Sequence, residues 1–209
     1  MMILQDFLAA ASAVMTENRD WLIDLDSIVG DGDLGLTMSD GFKAAYESIK
    51  DSDEEDVGKL FYVAGKAMSV AVPSTMGTLM ASGLMQVGKT FKGKTDVQPF
   101  EYAALFQAFF DGVSARGKAK VGEKTFLDGL FPAIGAMQAA IDAGKTVVQV
   151  AQAAAEAARK GYEATQGMVA VHGRAATRGE ASRQLLDPGA AVAALLMEAF
   201  AQSVSYSER

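Results

Sequence analysis

Leu25-Asp26-Ser27-Ile28-Val29-Gly30-Asp31-Gly32-Asp33-Leu34-Gly35 is the stretch whose reading separates two fold classes. Gly30, Gly32 and Gly35 match the dinucleotide fingerprint G-x-G-x-x-G, which would make the chain an α/β protein built on a parallel sheet. That fingerprint needs a strand before it and a βαβ unit around it, and neither is visible. Asp31 and Asp33 would also point negative charge at a pyrophosphate. A calcium loop starting at Asp31 fails as well. Its fifth position is Gly35, its sixth is Leu36 rather than glycine, and its twelfth is Phe42 rather than a bidentate glutamate. What remains is a glycine-rich, acidic connection between helices in an all-α chain.

The sequence on either side supports helices. Leu4, Phe7, Leu8, Ala11 and Met15 keep to one helix face, as do Val147, Val150, Ala151, Ala154, Ala155 and Ala158. Val192, Leu195, Leu196, Ala199, Phe200 and Val204 repeat the pattern near the C-terminus. Good helix formers mark further helices at about 37–49, 57–71, 75–91, 100–115 and 125–143, while β-branched alternation is scarce. The expectation is a single all-α domain spanning 1–209, with roughly eight helices. The acidic run 51–56 and the polar run 92–99 read as simple connections. Two breaks, Asp26 to Gly35 and His172 to Gly189, carry more glycine and charge than a helical hairpin needs.

Composition narrows the function. The net charge of -7 argues against nucleic acid, which selects a basic face. A nucleotide would need metal ions to offset local acidity. The absence of cysteine excludes disulfides, thiolate metal sites and cysteine nucleophiles, and the single histidine, His172, restricts general-base chemistry. No apolar run is long enough to span a bilayer, and Met1-Met2-Ile3-Leu4-Gln5-Asp6 lacks the basic region of a signal peptide. A cytoplasmic protein without membrane contact is expected.

Asp26, Asp31 and Asp33 can be read as turn and cap residues or as ligands of a hard cation. Three carboxylates on so short a stretch favour the cation. Magnesium takes few carboxylates and keeps open positions for phosphates, and glycines let the backbone turn around it. Gly83-Leu84-Met85-Gln86-Val87-Gly88-Lys89-Thr90 fits G-x-x-x-x-G-K-[ST], but it ends an apolar helical stretch instead of opening a helix after a strand. Lys89 is therefore read as a solvated charge at a helix C-terminus. His172 is read as a polar residue at a helix end, and Arg178 as a surface charge.

Four segments together resemble the DhaL subunit of dihydroxyacetone kinases, which is also the C-terminal domain of single-chain ATP-dependent enzymes. Leu25 to Gly35 is similar to the family's metal loop, and Ser74-Thr75-Met76-Gly77-Thr78-Leu79 to its phosphate loop. Arg116-Gly117-Lys118-Ala119 with Gly122-Glu123-Lys124-Thr125-Phe126-Leu127-Asp128 resembles R-G-K-A and G-D-K-T-M-x-D. Gly173-Arg174-Ala175, Gly179-Glu180 and Asp187-Pro188-Gly189-Ala190 resemble G-R-A-S, G-E and D-P-G-A. The resemblance implies an eight-helix antiparallel barrel with a nucleotide site at one end. It implies two magnesium ions bridging Asp26, Asp31 and Asp33 to the phosphates of ADP or ATP. By the same carry-over, Leu34, Gly35, Leu36, Thr37, Thr75 and Met76 lie along the phosphates, and Gly117, Phe126, Arg174, Leu186, Asp187 and Pro188 enclose the nucleoside. Leu34, Thr37, Met76 and Phe126 stand where relatives often have histidine, asparagine, serine and methionine.

The implied activity is phosphoryl transfer to dihydroxyacetone or a related small ketose held by a DhaK-type subunit, with no catalytic residue from this chain beyond the metal ligands. The phosphoryl source stays open between exchangeable ATP and a phosphotransferase-system protein of the DhaM type that recharges a held ADP. A homodimer is expected. The alternative is a non-catalytic nucleotide-binding module that regulates a kinase subunit or a transcription regulator. A lipid-binding relative would need an apolar cavity and a further domain, for which this chain has no room.

Overall fold

Helical spacing is realised in nine α-helices and two 3₁₀ segments, with no strand among the described residues. The structure is a computed structural model that describes residues 4–206. Residues 1–3 and 207–209, on which the reading of the N-terminus and the ends of the expected 1–209 domain partly rest, lie outside the described residues. The helices are α1 (Leu4–Glu17), α2 (Arg19–Val29), α3 (Leu34–Glu47), α4 (Val57–Ala71), α5 (Thr75–Thr90), α6 (Tyr102–Gly117), α7 (Phe126–Asp142), α8 (Val147–Ala164) and α9 (Pro188–Tyr206). Several starts are written in the sequence as caps. Side chains of Asp56, Ser74 and Thr146 accept hydrogen bonds from the N–H groups of Lys59, Gly77 and Gln149.

Eight helices close a ring, in which α1, α3, α4, α5, α6, α7, α8 and α9 each pack on the next and α9 packs back on α1. These are the eight read from periodicity. The ninth, α2, lies outside the ring against α3, and Trp21 on it meets Tyr162 of α8 edge to face. Trp21, Leu22, Leu25, Ile28 and Val29 share one face of α2, but only Leu22 is buried, and Trp21 and Ile28 stay exposed. The contact of α2 with α3 depends on Gly35, where a Cβ would sit 2.0 Å from the Arg19 carbonyl oxygen and 2.8 Å from Ile23 Cγ1. Gly35→Ala is therefore expected to cost about 2 kcal/mol and to push α2 off α3, measured as a lowered midpoint in urea.

At one end of the ring Phe200 of α9 meets Phe7, Tyr102 and Phe106 edge to face, with ring centroids 5.0 to 6.1 Å apart. Phe200 and Tyr102 are 0 % exposed. The other ends of α6 and α9, Gly117 and Pro188, lie roughly 16–18 Å away along the helix axes. There the barrel opens. The apparent phosphate loop at 83–90 lies wholly inside α5, where Gly83 packs against the Phe109 ring and Lys89 is exposed. Among the described residues no single helix is long and apolar enough to cross a membrane.

Candidate functional site

Alternate helices of the ring begin at the open end. The N-termini of α3, α5, α7 and α9, with the C-termini of α2 and α6, surround a cavity of about 690 Å³. Each helix start carries first-turn N–H groups without helical acceptors and a positive end of the helix dipole, and four of them face one space. That arrangement suits an anion. Leu79, Val113, Ala119 and Phe126 supply an apolar part of the same cavity.

The carboxylates meet at its rim. Oxygens of Asp26, Asp31 and Asp33 all come within 4.8 Å of one another. Asp26 belongs to the last turn of α2, so the connection is only residues 30–33, shorter than the break read from sequence. Gly32 makes this turn possible with φ +72°, and its N–H donates to Asp26 Oδ2 at 2.9 Å. Burial pushes the Asp26 carboxyl above its ordinary range, the N–H groups of Gly32 and Leu34 pull it back, and the charges of Asp31 and Asp33 raise it further. Asp33 stands at the N-cap of α3 yet makes no side-chain cap bond. It is thus not used up as a cap. Three carboxylates without thiol or imidazole, open to the cavity on one side, fit a hard divalent ion.

The residues singled out from sequence divide in two. Asp26, Asp31, Asp33, Leu34, Thr75, Met76, Gly117, Phe126, Arg174, Asp187 and Pro188 line the cavity; Gly35, Leu36, Thr37 and Leu186 do not. Gly35 serves the α2 contact, and Leu36 is an exposed side chain. Thr37 is buried, and its N–H donates to the Asp33 carbonyl at 2.9 Å, which fixes the turn that carries that carboxylate. At most the backbone of these positions can face a phosphate.

Two basic residues of the second long break reach across to the acidic loop. Arg174 donates to the Asp31 carboxylate, and Arg178 donates to the Ile28 carbonyl at the end of α2. Arg178 is therefore a tie between segments and not only a surface charge. His172, read as a polar residue at a helix end, also has a specific partner. It lines the cavity, and its Nε2 lies 2.7 Å from Glu123 Oε2. The Glu123 carboxyl is held below its ordinary range by the Lys120 N–H and then by His172. No spacing could have paired residues 49 positions apart. Lys124 and Thr125 were visible only as members of a motif. The Thr125 hydroxyl accepts from the Leu127 N–H, and Asp128 accepts from the N–H groups of Gly122 and Thr125 at 2.5 and 2.7 Å.

Asp187 is buried at the start of α9, where its Oδ2 accepts from the Ala190 N–H at 2.7 Å. Burial raises its carboxyl from 3.8 to about 7, against the N–H bond from Ala190. The folded state therefore holds this proton more tightly than the unfolded chain does. The stability it contributes is full below 3.8 and is lost as pH rises through about 7. Melting curves of wild type and Asp187→Asn across that window should diverge, with wild type losing ground to the variant as pH rises.

Comparisons with known proteins place the chain in a family. The family model described as the DAK2 domain matches residues 28–202. The chain is 29% identical over 204 residues to the PEP-dependent dihydroxyacetone kinase 2, ADP-binding subunit DhaL, of Listeria innocua, covering 97% of this chain and 92% of that protein. It is 31% identical over 196 residues to the L-erythrulose 1-kinase of Mycolicibacterium smegmatis, covering 92% of this chain but 34% of that enzyme. Among solved structures, the dihydroxyacetone kinase from C. freundii in complex with AMP-PNP and Mg2+ superposes with a TM-score of 0.70 at 23% identity, over 95% of this chain and 33% of that one. The chain thus spans nearly all of the Listeria subunit and about a third of the two larger proteins.

Proposed function

The chain belongs to the DAK2 domain family, and from that premise we propose that it is the nucleotide-binding subunit of a dihydroxyacetone-type kinase. In this reading residues 1–209 form one domain that works in the cytoplasm. Its open end holds ADP or ATP with magnesium, and a DhaK-type subunit brings the ketose. The observation that carries the proposal is the meeting of three carboxylates and four helix N-termini in one cavity that also has an apolar part.

The chain's own residues act by binding and positioning. Asp26, Asp31 and Asp33 hold two magnesium ions, and the glycine turn keeps the three oxygens together. N–H groups at the starts of α3 and α5, from Leu34 to Leu36 and at Thr75 and Met76, face the phosphates. Leu79, Val113, Gly117 and Phe126 enclose the nucleoside, and the α9 start at Asp187 and Pro188 closes that side. Bound magnesium supplies neutralisation of the charge that builds on the phosphoryl oxygens. Phosphoryl transfer asks for little else, so no nucleophile or base is required of this chain. The acceptor hydroxyl belongs to the partner's substrate, either dihydroxyacetone or a four-carbon ketose. The name of the Mycolicibacterium relative supports the latter. A second copy of the chain, as a homodimer, is part of the same proposal.

The test is reconstitution with a DhaK-type subunit. Phosphorylated ketose should form only when both chains are present, with either ATP or a charged DhaM-type protein as donor. If nucleotide binds but no donor supports transfer to either ketose, the non-catalytic regulatory module is the correct reading. ADP that copurifies and resists exchange would identify the phosphotransferase-system branch, whereas free exchange with ATP would identify the other.

A further inference from the structure

The 3₁₀ segment Arg174–Gln184 enters the cavity wall through Arg174 and Ala175, and little apolar contact beyond Ala175 holds it there. Of its 11 residues only Ala175 and Ser182 are buried. Gly179, at φ +51° and ψ -129°, breaks it into two turns. Its first turn is tied through the side chains of Arg174 and Arg178, on a surface where Arg174 is 67% exposed. Such exposed ties contribute little by themselves. The far end is held differently, and the holder is a lysine that the phosphoryl-transfer reading leaves without a task.

Lys124 is 1% exposed. A lysine is almost never so deeply buried without partners, and Lys124 forms no ion pair among the described residues. Its Nζ donates instead to four main-chain carbonyls, those of Thr165, Met168, Ser182 and Leu185, at 2.9, 3.2, 2.6 and 2.5 Å. Two of these lie just past the C-terminus of α8, where the helix dipole favours a cation, and two lie at the end of the 3₁₀ segment. Four carbonyls that would otherwise repel one another are thus gathered around one ammonium. The lysine itself sits at φ +61° and lines the cavity together with Thr125 and Phe126, although its Nζ is turned away to the four carbonyls. Further bonds follow the same seam. The Ala170 N–H donates to Ser182 Oγ at 3.0 Å, and the Gly167 N–H donates to the Arg183 carbonyl at 2.8 Å.

We propose that Lys124 is a positioning residue whose ammonium, by gathering the carbonyls of Thr165, Met168, Ser182 and Leu185, fixes the Arg174–Gln184 wall against the start of α7 and so keeps the nucleotide in the cavity. This rests on the nucleotide-binding reading above. Lys124 touches no reacting atom; it acts through the wall. The eight-helix ring does not depend on it, since its partners lie on the connections between helices. Loss of the ammonium frees the wall and leaves the barrel folded.

The test compares wild type with Lys124→Met by limited trypsin digestion, thermal melting and titration of ADP with magnesium. Faster cleavage after Arg174, Arg178 and Arg183, a melting transition that stays cooperative, and ADP affinity weakened roughly 10- to 100-fold are expected. Unchanged cleavage and affinity in a folded variant would overturn the proposal. Should Lys124→Met not fold, Lys124→Ala is measured with and without propylammonium chloride, the amine filling the space between the carbonyls. Recovery of both fold and ADP binding supports the positioning role, and no recovery, or fold without binding, contradicts it. If wild type itself binds no ADP, the functional reading fails instead. The cleavage pattern still decides whether Lys124 holds the wall.

Discussion

Ketose phosphorylation by an Asp31→Ala, Asp33→Ala double variant, reconstituted with its partner subunit, is expected to fall by roughly a thousandfold or more. The two aspartates flank Gly32 in the short turn between α2 and α3, and both side chains are exposed. Their removal should therefore leave the barrel intact, and melting curves will verify this. Asp26 alone remains, half-buried and already accepting a hydrogen bond from Gly32. One carboxylate holds a divalent ion weakly beside the charge of a polyphosphate, and the developing charge on the transferred group is left uncompensated. Asp20→Ala serves as the control, because Asp20 sits on α2, pairs with Arg19 and lies off the cavity. A double variant that retains activity within a factor of about three would mean that these carboxylates only shape the turn.

Phe200→Ala is expected to have the largest effect on stability, about 3–5 kcal/mol in urea unfolding. Phe200 is 0% exposed and joins α9 to α1 and α6 through three aromatic contacts. The surrounding helices are held by the ring on both sides and cannot collapse into the space left behind. Because this cluster lies at the end of the barrel away from the cavity, the folded fraction should bind nucleotide as wild type does. A loss under about 1 kcal/mol would show that the cluster is loosely packed. Lost binding at full stability would show that the two ends are coupled.

The sequence made the ring legible because a ring helix must bury a stripe. Leu4, Phe7, Leu8 and Ala11 announce α1, and Val192, Leu195, Leu196 and Ala199 announce α9. The helix α2 escapes the sequence reading although Trp21, Leu22, Leu25, Ile28 and Val29 share one face, because that stripe runs straight into the acidic glycine turn and buries only Leu22. Its absence from the sequence reading also lengthened the acidic loop, placing Asp26 in a connection when it closes a helix. The carboxylate trio was legible because its members are neighbours in sequence. The tie from Arg178 to Ile28, the pair His172–Glu123 and the four carbonyls around Lys124 were not, since each joins residues from 41 to 150 positions apart. The family resemblance sets Gly35, Leu36 and Thr37 along the phosphates, yet they do not line the cavity, because a helix turns successive residues to different faces. The segment Arg174–Gln184 lacks apolar periodicity and so reads as a break between helices, and in the structure hydrogen bonds replace that periodicity.

Calorimetric titration of ADP into the nucleotide-stripped chain, with and without magnesium, tests whether the open end of the barrel is a magnesium-dependent nucleotide site. Saturable binding at a single site is expected, requiring magnesium and disappearing in the Asp31→Ala, Asp33→Ala variant. Absence of binding by the folded wild-type chain in the presence of magnesium, to ADP and to ATP alike, would contradict that assignment.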